Sequence, residues 1–100
     1  MNEIDFRGVV LPYMAKILDF FETHYPALDI EDEEDSITIE LSDQRQFLIN
    51  IHPISKQIWL SSPLSGAHHY AYNGETQDWM DTRVDLSLLS QLKSELEEVA

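Results

Sequence analysis

The sequence predicts an α+β fold: a two-layer α/β sandwich with two terminal helices packed on one face of an antiparallel sheet, in the order α-β-β-β-β-β-α. Three observations predict it. Apolar residues recur at helical spacing at both ends of the chain. Between residues 37 and 61 the apolar period drops to two, and only short turn sequences interrupt it. The chain has 100 residues, which is one core's worth, so it reads as a single domain over residues 1–100.

The elements follow in order. Phe6, Val10, Tyr13, Ile17, Phe21 and His24 recur every three or four residues and define a first helix. Pro12 opposes an interior helical position, so a kink or a frayed first turn is expected there, and Pro26 ends the helix. Ile37, Ile39 and Leu41 alternate with polar residues in a first strand, and Ser42-Asp43-Gln44 turns the chain. Phe47, Ile49 and Ile51 define a second strand, and Pro53-Ile54-Ser55 turns it. Ile58 and Leu60 define a third, followed by the loop Ser62–Gly66. His68–Tyr72 is a fourth strand, Asn73-Gly74 a turn, and the segment around Trp79 a fifth. Leu88, Leu89, Leu92, Leu96 and Val99 form a second amphipathic helix, with Asp85 as its expected N-cap.

Composition narrows the function. The net charge is −13 with 43% apolar residues. Such a field disfavours nucleic acid, whose phosphates need a basic patch, and favours cations or a basic protein surface. There is no cysteine, which excludes disulfides, thiolate catalysis and thiolate metal ligands. No apolar run reaches the roughly 20 residues that a membrane span needs. The opening Met1-Asn2-Glu3-Ile4-Asp5 lacks the basic start of a secretory signal, so a cytoplasmic protein is expected, or one already stripped of a targeting segment.

The charge is concentrated. Residues 29–35 read Asp-Ile-Glu-Asp-Glu-Glu-Asp. Carboxylate oxygen is a hard donor, suited to Fe³⁺, Ca²⁺ or Mn²⁺ and tolerably to Fe²⁺. If the run is extended, same-side carboxylates stand roughly 7 Å apart, which suits several weak, hydrated sites rather than one chelate. Asp29, Glu31, Asp32, Glu33, Glu34 and Asp35 are therefore candidate cation ligands, with Asp19 and Glu22 of the first helix beside them. A solvated loop is the competing reading. An EF-hand is rejected, because its turn glycine would be Glu34. Ser61-Ser62 has neither a nucleophile elbow nor a paired base.

Period-2 geometry also sorts the sheet faces. If Ile58 and Leu60 point at the helices, Gln57, Trp59 and Ser61 point away, and so do Asn50 and His52. Trp59 among amides and hydroxyls reads as an interface anchor, or as a side chain half-covered by its neighbours. His68 and His69 point to opposite faces, with His69 outward. His24 falls on the apolar side of its helix.

Asn50 followed by Lys56-Gln57-Ile58-Trp59-Leu60-Ser61-Ser62-Pro63-Leu64-Ser65-Gly66 resembles the signature of the frataxin family, in its bacterial form. Tyr70, Trp79, Arg83 and the closing Leu-rich helix fall where that family has its equivalents. The pattern departs at His52 and Ile54, where Gln and Pro are usual, at Gly66-Ala67, and in a less acidic end of the first helix. The resemblance implies an iron-binding protein that regulates iron–sulfur cluster assembly. It would bind Fe²⁺ and Fe³⁺ weakly through surface carboxylates and dock on a cysteine desulfurase and its scaffold protein as iron sensor or iron donor. Asn50, His52, Gln57, Trp59, Ser61 and His69 would meet the partner. The protein would be a monomer without iron and would have no catalytic residue, although weak ferroxidase activity is reported in the family and disputed. An acidic interaction module with no iron role is the other alternative.

Overall fold

The computed structural model describes residues 3–99; Met1 and Asn2 of the acidic start lie outside the described residues. Helix α1 spans Glu3–His24 and helix α2 Leu88–Val99. Between them lie β1 (Asp29–Asp32), β2 (Ser36–Glu40), β3 (Gln46–His52), β4 (Gln57–Ser62), β5 (Gly66–Asn73) and β6 (Asp78–Asp81). The six strands form one antiparallel meander in the order β1-β2-β3-β4-β5-β6. The layer architecture is the expected one, with one strand more than expected.

That extra strand is the acidic run. Asp and Glu are poor strand formers, so no periodicity announced it. Tertiary pairing overrides the propensity: Ile30 lies opposite Ile39 and packs against the core, carrying the segment into register with β2. Extension ends at Asp32. Glu33–Asp35 form the hairpin connection, closed by the Glu33 amide donating to the Ser36 carbonyl at 2.9 Å. The same-side alternation expected across the whole run therefore holds only for Asp29–Asp32.

The core lies between the helices and one sheet face. Phe6, Val10, Ile17 and Phe21 of α1 and Leu88, Leu92 and Leu96 of α2 meet Ile37, Ile39, Phe47, Ile49, Ile58, Leu60 and Tyr70 of the sheet, all at most 2% exposed. Trp79, the largest fully buried side chain, joins the layers through an edge contact with Phe6 and tilted ring contacts with Tyr13 and Tyr72. The Tyr13 hydroxyl accepts the Leu89 amide at 3.2 Å and so ties α1 to the first turn of α2. Burial, reinforced by Asp78, pushes that hydroxyl's pKa well up.

Helix α1 is continuous from Glu3 through Pro12 to His24; the proline ring stands exposed and costs a hydrogen bond without ending the helix. Two local expectations are corrected. The N-cap of α2 is Ser87, not Asp85: its hydroxyl accepts the Ser90 amide at 3.1 Å. His24 is exposed at the end of α1 and rests on Phe20 with ring centroids 5.0 Å apart. The β5–β6 turn stands where Asn73-Gly74 placed it, but its left-handed residue is Gln77 (φ 56°). Asn73 organises it by accepting the amides of Glu75 and Thr76 on its side-chain oxygen.

Candidate functional site

Strand register decides which residues share the open face, because directly paired residues point the same way. Ile39 faces the core, so its neighbour Glu40 faces out. Asp29 pairs with Glu40, Glu31 with Thr38, and Glu40 with Gln46. Asp29, Glu31 and Glu40 thus sit side by side on the outer surface of the β1–β2 edge. With Ile30, Thr38 and Gln46 they line a shallow polar depression of about 350 Å³. Glu40 accepts the Gln46 amide at 3.0 Å. Glu40 was not among the candidate cation ligands expected from the sequence. Its outward direction was legible in the β2 alternation, but its meeting with Asp29 depends on a register that no local pattern encodes.

The other acids disperse. Asp32 lies opposite Ile37, on the core-side row, but is exposed at the sheet edge. Glu33 and Glu34 are exposed in the hairpin connection. Asp35 lies 3.6 Å from the Arg7 guanidinium in the first turns of α1. Asp19 and Glu22 stand exposed near the other end of that helix. Arg7 and Asp19 are separated by about 18 Å along the helix axis at the usual rise per residue. One ion cannot collect carboxylates from both ends. Among the described residues, no group of three or more His, Asp or Glu side chains is arranged to hold a metal ion. The edge offers open, hydrated carboxylate positions, which allow exchangeable association and lack the oriented supporting shell that a catalytic metal centre needs.

The middle of the same face carries no charged carboxylate. Asn50, Trp59 and His69 are in direct register across β3, β4 and β5, and His52 pairs with Gln57. Ser61 lies in the next row, between Leu48 and Ala67. The six residues expected on one surface are together on it. Trp59 is half-covered by its neighbours. His52 stacks on one face of its indole at 3.9 Å and 7°, and His69 stacks at 4.3 Å and 18°. Its Nε1–H donates to Gln57 Oε1 at 2.8 Å, and His52 Nδ1 lies 2.7 Å from Ser55 Oγ. The result is a rigid ridge of three rings, held upright by neighbours and offering its edges to solvent. Alanines at 67 and 71 leave room beside it. Ile54, where the family pattern usually has Pro, is 91% exposed at the β3–β4 turn and adds an apolar tip.

The fold is thus a meander sheet with both helices on one side, an acidic edge and an aromatic open face. A sequence model of the Frataxin-like domain matches residues 1–100, and the chain belongs to that family. It is 42% identical over 67 residues to the mitochondrial frataxin homolog of Schizosaccharomyces pombe, covering 67% of this chain and 42% of that protein. It is 27% identical over 95 residues to the iron-sulfur cluster assembly protein CyaY of Dechloromonas aromatica, covering 94% of this chain and 88% of that one. This chain spans about half or less of the mitochondrial relatives it matches. Among solved structures, frataxin from Psychromonas ingrahamii superposes with a TM-score of 0.87 at 26% identity, over 98% of this chain and 90% of that one. Trimeric frataxin from Saccharomyces cerevisiae, complexed with ferrous iron, superposes with a TM-score of 0.70 at 27% identity, over 99% and 86%.

Proposed function

We propose that this protein handles iron in iron–sulfur cluster assembly. It binds Fe²⁺ and Fe³⁺ as weakly held cargo on the acidic edge and docks through the open face on a cysteine desulfurase and its scaffold, as sensor or donor. The observation that carries this reading is the division of one sheet surface. Asp29, Glu31 and Glu40 occupy its edge, and the His52–Trp59–His69 ridge with Asn50, Gln57 and Ser61 occupies its centre. Hard oxygen donors suit the ion, and a preorganised aromatic surface with hydrogen-bonding neighbours suits a protein. The CyaY relative's role in cluster assembly and the ferrous complex of the yeast neighbour support the assignment. The desulfurase as partner, the cytoplasmic setting and the iron-free monomer rest on family resemblance, and the net charge of −13, which opposes self-association, supports the last.

The test is an anaerobic Fe²⁺ titration of ¹⁵N-labelled protein followed by NMR, with Ca²⁺ as comparison. Broadening centred on Asp29, Glu31 and Glu40, weaker at Arg7-paired Asp35 and reduced by Asp29→Asn with Glu31→Gln, is the expected result. An equal response to Ca²⁺ would make the edge a charged docking surface with no iron role. Oxygen uptake above that of iron with a random acidic polymer would mark a ferroxidase instead.

A further inference from the structure

On the helix side of the sheet, away from edge and ridge, a second polar cluster is buried between α2, the β4–β5 loop and β6. Glu95, Ser62 and Asp81 are each at most 9% exposed, and the His68 side chain is 14% exposed. Glu95 Oε1 accepts the Ser62 hydroxyl. Glu95 Oε2 accepts the Ser65 hydroxyl at 2.8 Å and the Gln91 side-chain amide from the preceding turn of α2. Ser65 Oγ also lies 2.7 Å from His68 Nε2, and His68 Nδ1 lies 3.2 Å from Asp81 Oδ2. The amides of Leu64 and Ser65 donate to Ser62 Oγ, which leaves the Ser62 proton for Glu95. The Arg83 amide holds the other Asp81 oxygen at 2.7 Å.

Ser65, His68 and Asp81 have the connectivity of an acyl-transfer triad. Glu95 removes that reading, because it competes for the single proton of Ser65. A proton count then decides the state of the cluster. Four contacts (Ser62–Glu95, Ser65–Glu95, Ser65–His68 and His68–Asp81) need one proton each. The two hydroxyls and a neutral imidazole supply only three. With both ring nitrogens protonated, Nδ1–H donates to Asp81, Nε2–H donates to Ser65, and Ser65 donates onward to Glu95. Every contact is then a proper hydrogen bond. Glu95 is the poorer site for the extra proton, because both of its oxygens already accept donors, Ser62 on Oε1 and Gln91 on Oε2.

We propose that this cluster is a proton-sensitive latch between α2 and the β4–β5 loop, closed when His68 is an imidazolium. When the ring loses its proton, Ser65 has two acceptors and one hydrogen. Its hydroxyl turns to His68 Nε2, and α2 keeps the loop only through Ser62. The charged and titratable groups facing His68 are Asp81 from β6, Glu95 from α2 through Ser65, and Tyr70 on its own strand, with ring centroids 6.2 Å apart. Arg83, after β6, reaches Ala67 O with its guanidinium at 2.9 Å. The carboxylates attract an imidazolium, the guanidinium repels it, and burial keeps the Tyr70 hydroxyl neutral. The link is present at low pH and is lost as pH rises through the titration of this ring.

The experiment is amide hydrogen exchange on the whole chain, with His side-chain NMR, between about pH 5 and about pH 8.5, a range that brackets imidazole titration. After correction for intrinsic rates, protection of Leu64, Ser65 and the last two turns of α2 is expected to fall roughly tenfold, the worth of about one charge-assisted hydrogen bond. The fall should track the His68 ring signals and vanish in His68→Gln. Should that variant fail to fold, Ser65→Ala cuts the relay while leaving His68 on Asp81, and α2 protection then stops following the ring. A flat wild-type profile overturns the proposal. So does a step that survives in either variant, or one that follows His24, His52 or His69.

Discussion

Trp59 is the residue on which the proposed docking turns. Its indole is half-buried between two imidazoles, outside the core. Aromatic pairs of this kind are worth about 0.5–1.5 kcal/mol each. Trp59→Ala is therefore expected to cost roughly 1–2 kcal/mol in a urea melt, to leave the native NMR fingerprint in place, and to weaken desulfurase–scaffold binding much more severely. Unfolding of the variant would place Trp59 in the core and remove the docking face. Asp81 makes the opposite case, a buried side chain of structural weight. Burial alone would raise its carboxyl, but the Arg83 amide and the His68 ring outweigh it and hold the pKa below the ordinary carboxylate range. A depressed pKa contributes stability above the ordinary range that disappears as pH falls through the lowered value. Urea midpoints of the wild type should thus drop on acidification below about pH 4, and Asp81→Asn should show a lower starting midpoint with a shallower drop.

At the scale of elements, the strongest periodicities were legible and the caps and edges were not. Ile37, Ile39 and Leu41, Phe47, Ile49 and Ile51, and Ile58 and Leu60 read directly as alternating strand positions, and all of these side chains are buried. Helix α2 was legible from its leucines, but its start was assigned to Asp85. The chain instead pairs Met80 with Ser87 before turning, which brings the Ser87 hydroxyl to the Ser90 amide. Ser87→Ala is expected to cost about 1 kcal/mol, and Asp85→Ala within a few tenths of zero, in paired thermal melts. Equal losses would restore Asp85 as the cap. β1 escaped notice because acidic residues carry no strand signal; its ladder with β2 and the packing of Leu28 and Ile30 against the core hold it in place.

For the whole molecule, charge is the dominant long-range quantity. Twelve acids and three bases fall in residues 1–50, and the fold places Asp29 directly opposite Glu40. Like charges in register oppose pairing, and the summed field opposes compaction. Added salt should raise the melting temperature, by about 4–8 °C for each 1 kcal/mol of repulsion screened, and millimolar divalent ions should do so at far lower ionic strength. A melting temperature indifferent to both would mean that the edge carboxylates neither repel nor bind. The length, the two hydrophobic periods and the 50–66 motif determined the class of fold, the open face and the family, because a repeat of two or 3.6 residues encodes element type and orientation locally. Tertiary structure alone decided that the acidic run becomes a sixth strand, that Glu40 joins Asp29 and Glu31, that two histidines clasp Trp59, and that Glu95 reaches His68 through Ser65. Each of these depends on which residue of one strand or helix lies opposite which residue of another. That choice is made by packing the whole core at once, and no segment carries it alone.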